Sequence, residues 1–291
     1  MNPGDRRLDR SIQFFGAPGQ ERLQATTVGI VGIGGVGTHV VRQLALLRIG
    51  ALVLVDAEEL DETNLNRYVG VRHDDPVPGT PKVNIGARIA GSIDPKIQVV
   101  KVQDSFISAE AMTALKGVTH LFGCVDKEGL RLILTEFCAA YRIPYIDVAT
   151  EIVSGDRVSY GGRVCIAWDG DGCAVCMNVL DQLEVQHDLA GERHQRDEEA
   201  IYGVQRSALG RSGPSVVCIN GVVASLAVTE FMLGVTGIRR PERLLTYRGD
   251  LGGVVLRNQD AARPGCYYCE HLRGQGDAAD LLRYARERIT V

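Results

Sequence analysis

Gly32, Gly34, Gly35 and Gly37 form the run Gly-Ile-Gly-Gly-Val-Gly between a β-branched stretch, Thr27–Val31, and an apolar-periodic stretch at 36–47. Glycines let a backbone approach phosphate groups closely. The N-terminus of the following helix offers unpaired N–H groups at the positive end of its dipole. Asp56 closes the next apolar run, 51–56, where a carboxylate can accept from ribose hydroxyls. The spacing matches the dinucleotide fingerprint, which alone does not separate NAD from ATP.

The residues after Asp56 separate the two. Asn64 and Arg67, in Asn64-Leu65-Asn66-Arg67, lie just beyond the second strand, and Lys82, after Thr80-Pro81, starts the next helix. Gly123-Cys124-Val125-Asp126 ends a later strand. These positions are all strand C-termini or helix N-termini, the edge at which open α/β sheets bind ligands. Arg67 and Lys82 place two positive charges near the glycine loop, which suits a triphosphate better than a dinucleotide pyrophosphate. Asp126 is a candidate for Mg²⁺, an ion that keeps several waters and takes one or two carboxylates. An NAD-dependent oxidoreductase would use the glycines and Asp56, but would leave Arg67, Lys82 and Asp126 without a shared purpose.

A second chemistry is carried by sulfur. Cys173 and Cys176, then Cys266 and Cys269, make two C-x-x-C pairs far apart in the chain. Four thiolates suit a tetrahedral structural zinc with no open position; disulfides or unrelated thiols are the alternatives. Such an ion would tie together distant parts of one domain. Cys124, Cys138, Cys165 and Cys218 read as small apolar residues. Cys218 is also near the start of an apolar helix, where the dipole can lower a thiol pKa. His187 and His194, with Asp188 and Glu192, and the acidic run 197–199 read as solvated loop residues. Tyr267 and Tyr268 read as packing around the cysteine site.

Those residues need a frame. Strand patterns at 27–31, 51–56, 97–102, 120–124 and 145–149 alternate with helical patterns at 36–47, 82–93, 109–115 and 129–141. The alternation predicts a mostly parallel sheet covered on both faces. A helical lead-in is expected at 8–23. After Thr150 the pattern changes: 153–168 reads as antiparallel strands around Gly161-Gly162, and 181–213 as a mobile crossover loop. An apolar helix is expected at 215–233, strands at 244–247 and 254–257, and a surface helix at 277–288. We therefore expect a single domain over 1–291, with a nucleotide-binding half at 26–150 and a substrate-binding and zinc half at 151–291.

Composition narrows the class. The chain has 291 residues, enough for a large core, and is 45% hydrophobic and 23% charged, which excludes disorder as the main state. Lys plus Arg number 32 against 36 Asp plus Glu, a net charge of −4, so a mainly electrostatic nucleic-acid binder is not expected. The first ten residues are charged and lack an apolar core segment, so no secretory signal is read. The uncharged run at 212–229 holds Pro214, Asn220 and Gly221 and fits a buried helix better than a membrane span. Paired cysteines of metal-site spacing point to a cytoplasmic protein.

The ordered set G-x-G-G-x-G, Asp56, N-x-x-R at 64–67, Pro81-Lys82 and C-x-D at 124–126 resembles the ubiquitin-activating-enzyme-like adenylyltransferases. Bacterial members include the molybdopterin-synthase and thiamine-biosynthesis adenylyltransferases. The resemblance covers roughly 7–268 and implies a Rossmann-like α/β fold with antiparallel C-terminal additions. It implies that ATP activates the C-terminal glycine carboxylate of a small ubiquitin-like, β-grasp protein as an acyl-adenylate. By motif, Asp56 would bind ribose, Asn64, Arg67 and Lys82 the triphosphate, and Asp126 Mg²⁺. It also implies zinc on the four paired cysteines and a role for Arg131 in the same site. A homodimer is implied, with Arg10, in Asp9-Arg10-Ser11-Ile12-Gln13, reaching the partner's ATP. A conjugating enzyme or a sulfur-carrier partner would follow. Some members carry a nucleophilic cysteine in the crossover loop; 181–213 contains none, so a thioester step there is not expected. Adenylation of a carboxylate on a modified transfer-RNA nucleoside is the alternative.

Overall fold

Thr27–Val31 and Ala51–Val55 are apolar almost throughout because both of their faces are covered. Val28, Ile30, Leu52 and Leu54 point to one core; Val31, Val53 and Val55, one residue out of phase, point to the other. A computed structural model of the chain describes residues 6–153, 158–190, 214–256 and 262–286. These strands, β1 and β2, pair in parallel with each other, and β3 (Gln98–Val102), β4 (His120–Gly123) and β5 (Tyr145–Val153) extend the parallel set. Three antiparallel strands follow: β6 (Ser159–Ala167), β7 (Leu244–Arg248) and β8 (Gly253–Leu256). The eight strands make one sheet, ordered β3-β2-β1-β4-β5-β6-β7-β8.

Helices cover both faces. On one lie α1 (Asp9–Gln24), α2 (Gly35–Leu46), α3 (Lys82–Ile93) and, further on in the chain, α7 (Val217–Thr236). Leu23, Val41, Leu44, Ile85 and Phe231 fill the space beneath them. On the other lie α4 (Ala109–Leu115) and α5 (Glu128–Tyr141), packed through Met112, Leu115, Ile133 and Phe137. Helix α7 has a mean hydropathy of 1.7 and is long and apolar enough to cross a membrane by length and composition. Its Val223, Ala224, Ala227 and Phe231 are wholly buried, and Val223 lies against Gly162 of β6, so here it is a core helix.

Four expectations need correction. The antiparallel hairpin does not turn at Gly161-Gly162; both residues are inside β6. A Cβ on Gly161 would be 2.0 Å from the Tyr247 carbonyl oxygen, and one on Gly162 would be 2.4 Å from that of Ala149. Strand β5 runs on to Val153, so one strand is parallel to β4 and antiparallel to β6. The crossover segment begins as a helix, α6 (Gln182–Leu189), because Asp181 caps it and Val185 is buried; residues 191–213, with His194, Glu192 and the acidic run, lie outside the described residues. In place of the C-terminal surface helix the described residues form two short turns, Gly276–Ala279 and Arg283–Arg286, and 287–288 lie outside them.

Candidate active site

Between β1 and β4 the strand order reverses direction, and such switch points open a crevice beyond the strand C-termini. A cavity of about 770 Å³ lies there. Gly32, Gly34, Gly35, Asp56, Asn64, Arg67, Lys82, Asp126 and Arg131 all line it. Gly37 does not: a Cβ on it would be 2.1 Å from the Gly32 carbonyl oxygen, so its smallness seats α2 on the loop. Arg10 does not either; it is exposed on α1.

The glycine loop is shaped by tight contacts. Gly32 has φ +88°, and a Cβ there would also be 2.6 Å from the Cys124 carbonyl oxygen. Gly34 precedes α2 and no side chain caps the helix, so its first-turn N–H groups are available to an anion. Asp56 staples the loop from below: its carboxylate accepts from the Ile33 N–H at 2.6 Å and the Glu58 N–H at 2.9 Å. Burial raises the Asp56 pKa, against the pull of Lys82 and the two amides.

The lysine of the site is paired within the protein. Lys82 is buried at the start of α3, its ammonium bonded to the Glu58 carboxylate and 5.5 Å from the centre of the Tyr68 ring. Burial disfavours the charged amine, but Tyr68, Glu58 and Asp56 outweigh it, and the Lys82 pKa is raised. Arg67 is half-buried and donates to the Thr63 carbonyl, and at 3.3 Å to Asn66. Asn64 is buried, and its side-chain oxygen accepts from the Asp61 N–H at 3.1 Å, which closes the turn Glu62–Asn64. Asp126 is exposed at the cavity beside the end of β4, and Asp104, after β3, lines the same cavity. An exposed carboxylate at the cavity edge, with room for water, is the kind of ligand that Mg²⁺ takes, so Asp126 fits the ion.

Sequence reasoning missed several wall residues. Thr150, Ser215 and Asn220 form a polar chain: Thr150 donates to the Asn220 oxygen at 3.2 Å and Asn220 to Ser215 at 3.1 Å. Asn220 is buried against Gly35, where a Cβ would be 2.4 Å from its Nδ2. Thr150 carried a signal, since it extends a strand past the ligand edge. Asn220 carried one too, as an amide inside an apolar helix.

The second candidate site joins two cysteine pairs 93 residues apart in sequence and is a few ångströms across. The sulfurs of Cys173, Cys176, Cys266 and Cys269 all lie within 4.8 Å of one another. Cys173 is 3.8 Å from both Cys176 and Cys266, and Cys176 is 3.7 Å from Cys269. Zn–S bonds of about 2.3 Å put tetrahedral sulfurs about 3.8 Å apart, whereas a disulfide needs about 2 Å. The Cys269 thiol and neighbouring amides donate to Cys173 and lower its pKa to about 6. The donor set therefore fits zinc. Tyr268 packs against the core beneath α5 and lines one small cavity with Cys173 and Cys269, while Tyr267 is 52% exposed. Of the other cysteines, Cys138 and Cys165 are buried as expected. Burial pushes the Cys124 thiol up to about 12. Cys218 is exposed at the start of α7, so core packing does not account for it.

Known proteins resemble the chain in sequence and in fold. A model of the ThiF family matches residues 8–266. The molybdopterin-synthase adenylyltransferase of Escherichia coli is 27% identical over 268 residues, covering 90% of this chain and 95% of that one. The SAMP-activating enzyme E1 of Haloferax volcanii is 31% identical over 131 residues, 45% of this chain and 48% of that one. Among solved structures, E. coli MccB superposes with a TM-score of 0.70 at 19% identity, over 92% of this chain and 74% of MccB.

Proposed function

The chain belongs to the ThiF family and is an adenylyltransferase of the ThiF/E1 type, and from that premise we propose that it uses ATP to activate the C-terminal glycine carboxylate of a small ubiquitin-like protein. The observation that carries the reading is the single cavity that gathers the glycine loop, Asp56, Arg67, Lys82 and Asp126. It is supported by relatives named for molybdopterin synthase and for SAMP activation.

The substrate carboxylate attacks the α-phosphorus of ATP, the bond to the β,γ-pyrophosphate breaks, and a mixed anhydride forms. No side-chain nucleophile is required for that step. Catalysis is positioning plus neutralisation of charge on the departing pyrophosphate. The first-turn amides of α2 hold phosphate oxygens, Lys82 exchanges Glu58 for the triphosphate, and Arg67 and Asn64 flank it. Asp56 holds the glycine loop and is placed for the ribose. Mg²⁺, when bound at Asp126, would supply charge neutralisation of the phosphates. Zinc on the four cysteines would be structural.

A homodimer with Arg10 acting on the partner's site is part of the proposal. Arg10 and Phe14 are one turn apart on α1, and the 61% exposure of Phe14 supports a second copy packing against that helix face. A soluble cytoplasmic enzyme is part of it as well.

The test is ATP–pyrophosphate exchange with a small ubiquitin-like protein from the same genome ending in Gly. Exchange should depend on that protein and vanish when its terminal carboxylate is converted to an amide. Exchange insensitive to the amide, or exchange supported by transfer RNA instead, would overturn the substrate assignment. A rise in melting temperature with NAD and none with ATP would overturn the nucleotide.

A further inference from the structure

Beneath the loop that carries Asp126 is a cluster of buried charge built on Asp147, a residue outside the cavity lining to which the adenylation chemistry assigns no task. Asp147 is fully buried in the middle of β5, between the apolar Ile146 and Val148. Arg131, 3% exposed in α5, donates to its carboxylate and, through the other arm of the guanidinium, to the carbonyl oxygen of Val125. The Tyr145 hydroxyl donates to the same Asp147 oxygen at 3.2 Å. A side chain at residue 123 would collide with that hydroxyl at 2.4 Å, so Gly123 leaves the space for the cluster at the end of β4. Val125 is the residue before Asp126.

A buried ion pair is a poor device for stability, since apolar residues of equal volume do as well or better. What it does provide is direction. A guanidinium held by a fixed carboxylate presents its remaining N–H groups along set lines. Here one of those lines ends on the backbone next to Asp126. Asp126 itself is exposed, and its carboxylate meets no hydrogen-bond or ion-pair partner among the described residues.

We infer that Asp147 and Arg131 are positioning residues for the adenylyl-transfer site: the pair clamps the Val125 carbonyl and thereby holds the Asp126 carboxylate in place for the metal-bound triphosphate. The inference rests on the reading of Asp126 as the Mg²⁺ residue. Asp147→Asn keeps the shape and a hydrogen-bond acceptor but removes the buried charge on one arm of Arg131, leaving Glu128 3.3 Å from its Nε. Arg131→Lys keeps the charge but has no fork with which to reach both Asp147 and Val125.

The measurement is the dissociation constant of ATP by titration calorimetry, with and without Mg²⁺, together with that of AMP. The quantity of interest is the factor by which Mg²⁺ tightens ATP. Asp126→Ala should abolish that factor. Asp147→Asn and Arg131→Lys should each reduce it at least fivefold, and in Asp147→Asn, whose side chain lies outside the cavity, AMP binding should stay within twofold of wild type. A wild-type factor in a folded Asp147→Asn protein overturns the inference and leaves the Asp126 reading standing. A wild-type factor in Asp126→Ala removes the Asp126 reading, and the inference with it. If neither Asp147→Asn nor Arg131→Lys folds, the pair is a stabilising element and the positioning role is overturned.

Discussion

The nucleotide cavity and the cysteine cluster both draw on distant parts of the chain, but they handle charge in opposite ways. In the cavity, ionised groups meet partners of opposite sign from the protein itself: Lys82 meets Glu58, and Arg131 meets Asp147. The Lys82 pair is lopsided, the lysine side chain being 8% exposed and the glutamate 72%. The glutamate can therefore leave for water when a phosphate arrives, whereas the lysine stays. The cysteine cluster has no such exchangeable partner among the described residues. Four thiols sit within 4.8 Å, and every proton lost adds to their repulsion until a dication takes the centre. One site is balanced so that its contents can change; the other is balanced only by contents that do not.

The contrast breaks if either site responds to mutation like the other. The largest effect is expected at the cysteines. Cys173→Ser should lower the bound zinc from one per chain towards zero and the melting temperature by about 10 °C or more, as loss of several kcal/mol of metal-linked folding energy implies. Full zinc content in that variant, measured by metal analysis, would mean that the ligand set is wrong. Next, Asp126→Ala should cut ATP–pyrophosphate exchange about 100-fold or more, the scale of losing one transition-state electrostatic contact, with the melting temperature within about 2 °C of wild type. A large loss of stability there would make the cavity as structural as the cluster.

A third test asks whether the cavity is complete within one chain. Arg10→Ala and Asp126→Ala homodimers should both be inactive. A mixed dimer of the two should recover up to half of wild-type exchange, because one of its sites takes Arg10 and Asp126 from different chains. A verified heterodimer with no recovery would place Arg10 in its own chain's site or outside the reaction. The smallest effect probes the exchangeable partner: Glu58→Gln should lower the KM for ATP about two- to fivefold, the scale of a half-exposed ion pair, and leave kcat near wild type. A raised KM would mean that Glu58 helps to bind ATP rather than competing with it.

The two regions also differ in how far they could be read from the chain. Strands β1 to β4 and the helices between them were legible because each is a local pattern: apolar runs closed by glycine or a charge, and helical periodicity from Lys82 to Ile93. The cavity residues followed, since strand ends and helix starts are local features too. The hairpin turn misplaced at Gly161-Gly162 fails for a non-local reason. Those glycines answer to Tyr247 and Ala149, the first of which is over 80 residues away along the chain. Asp147 was passed over because a single carboxylate in a strand reads as a solvent-facing position until Arg131 is seen beneath it. Helix α6 was hidden because its apolar contacts, Leu180 and Val185, are few and sit in a polar stretch.

The spacing of the cysteines has a consequence for how the chain reaches its native state. Cys173 and Cys266 are 93 residues apart, and between them run α6, α7, β7 and β8. Closing a loop of that length costs the unfolded chain on the order of 4 kcal/mol in configurational entropy. Contacts of such long range form slowly, and they are favoured only once the intervening strands have returned to the sheet. The parallel half can nucleate from its own short connections. Binding of the ion then acts as a late kinetic latch, so metal added after refolding of the sheet should speed the final step rather than the first.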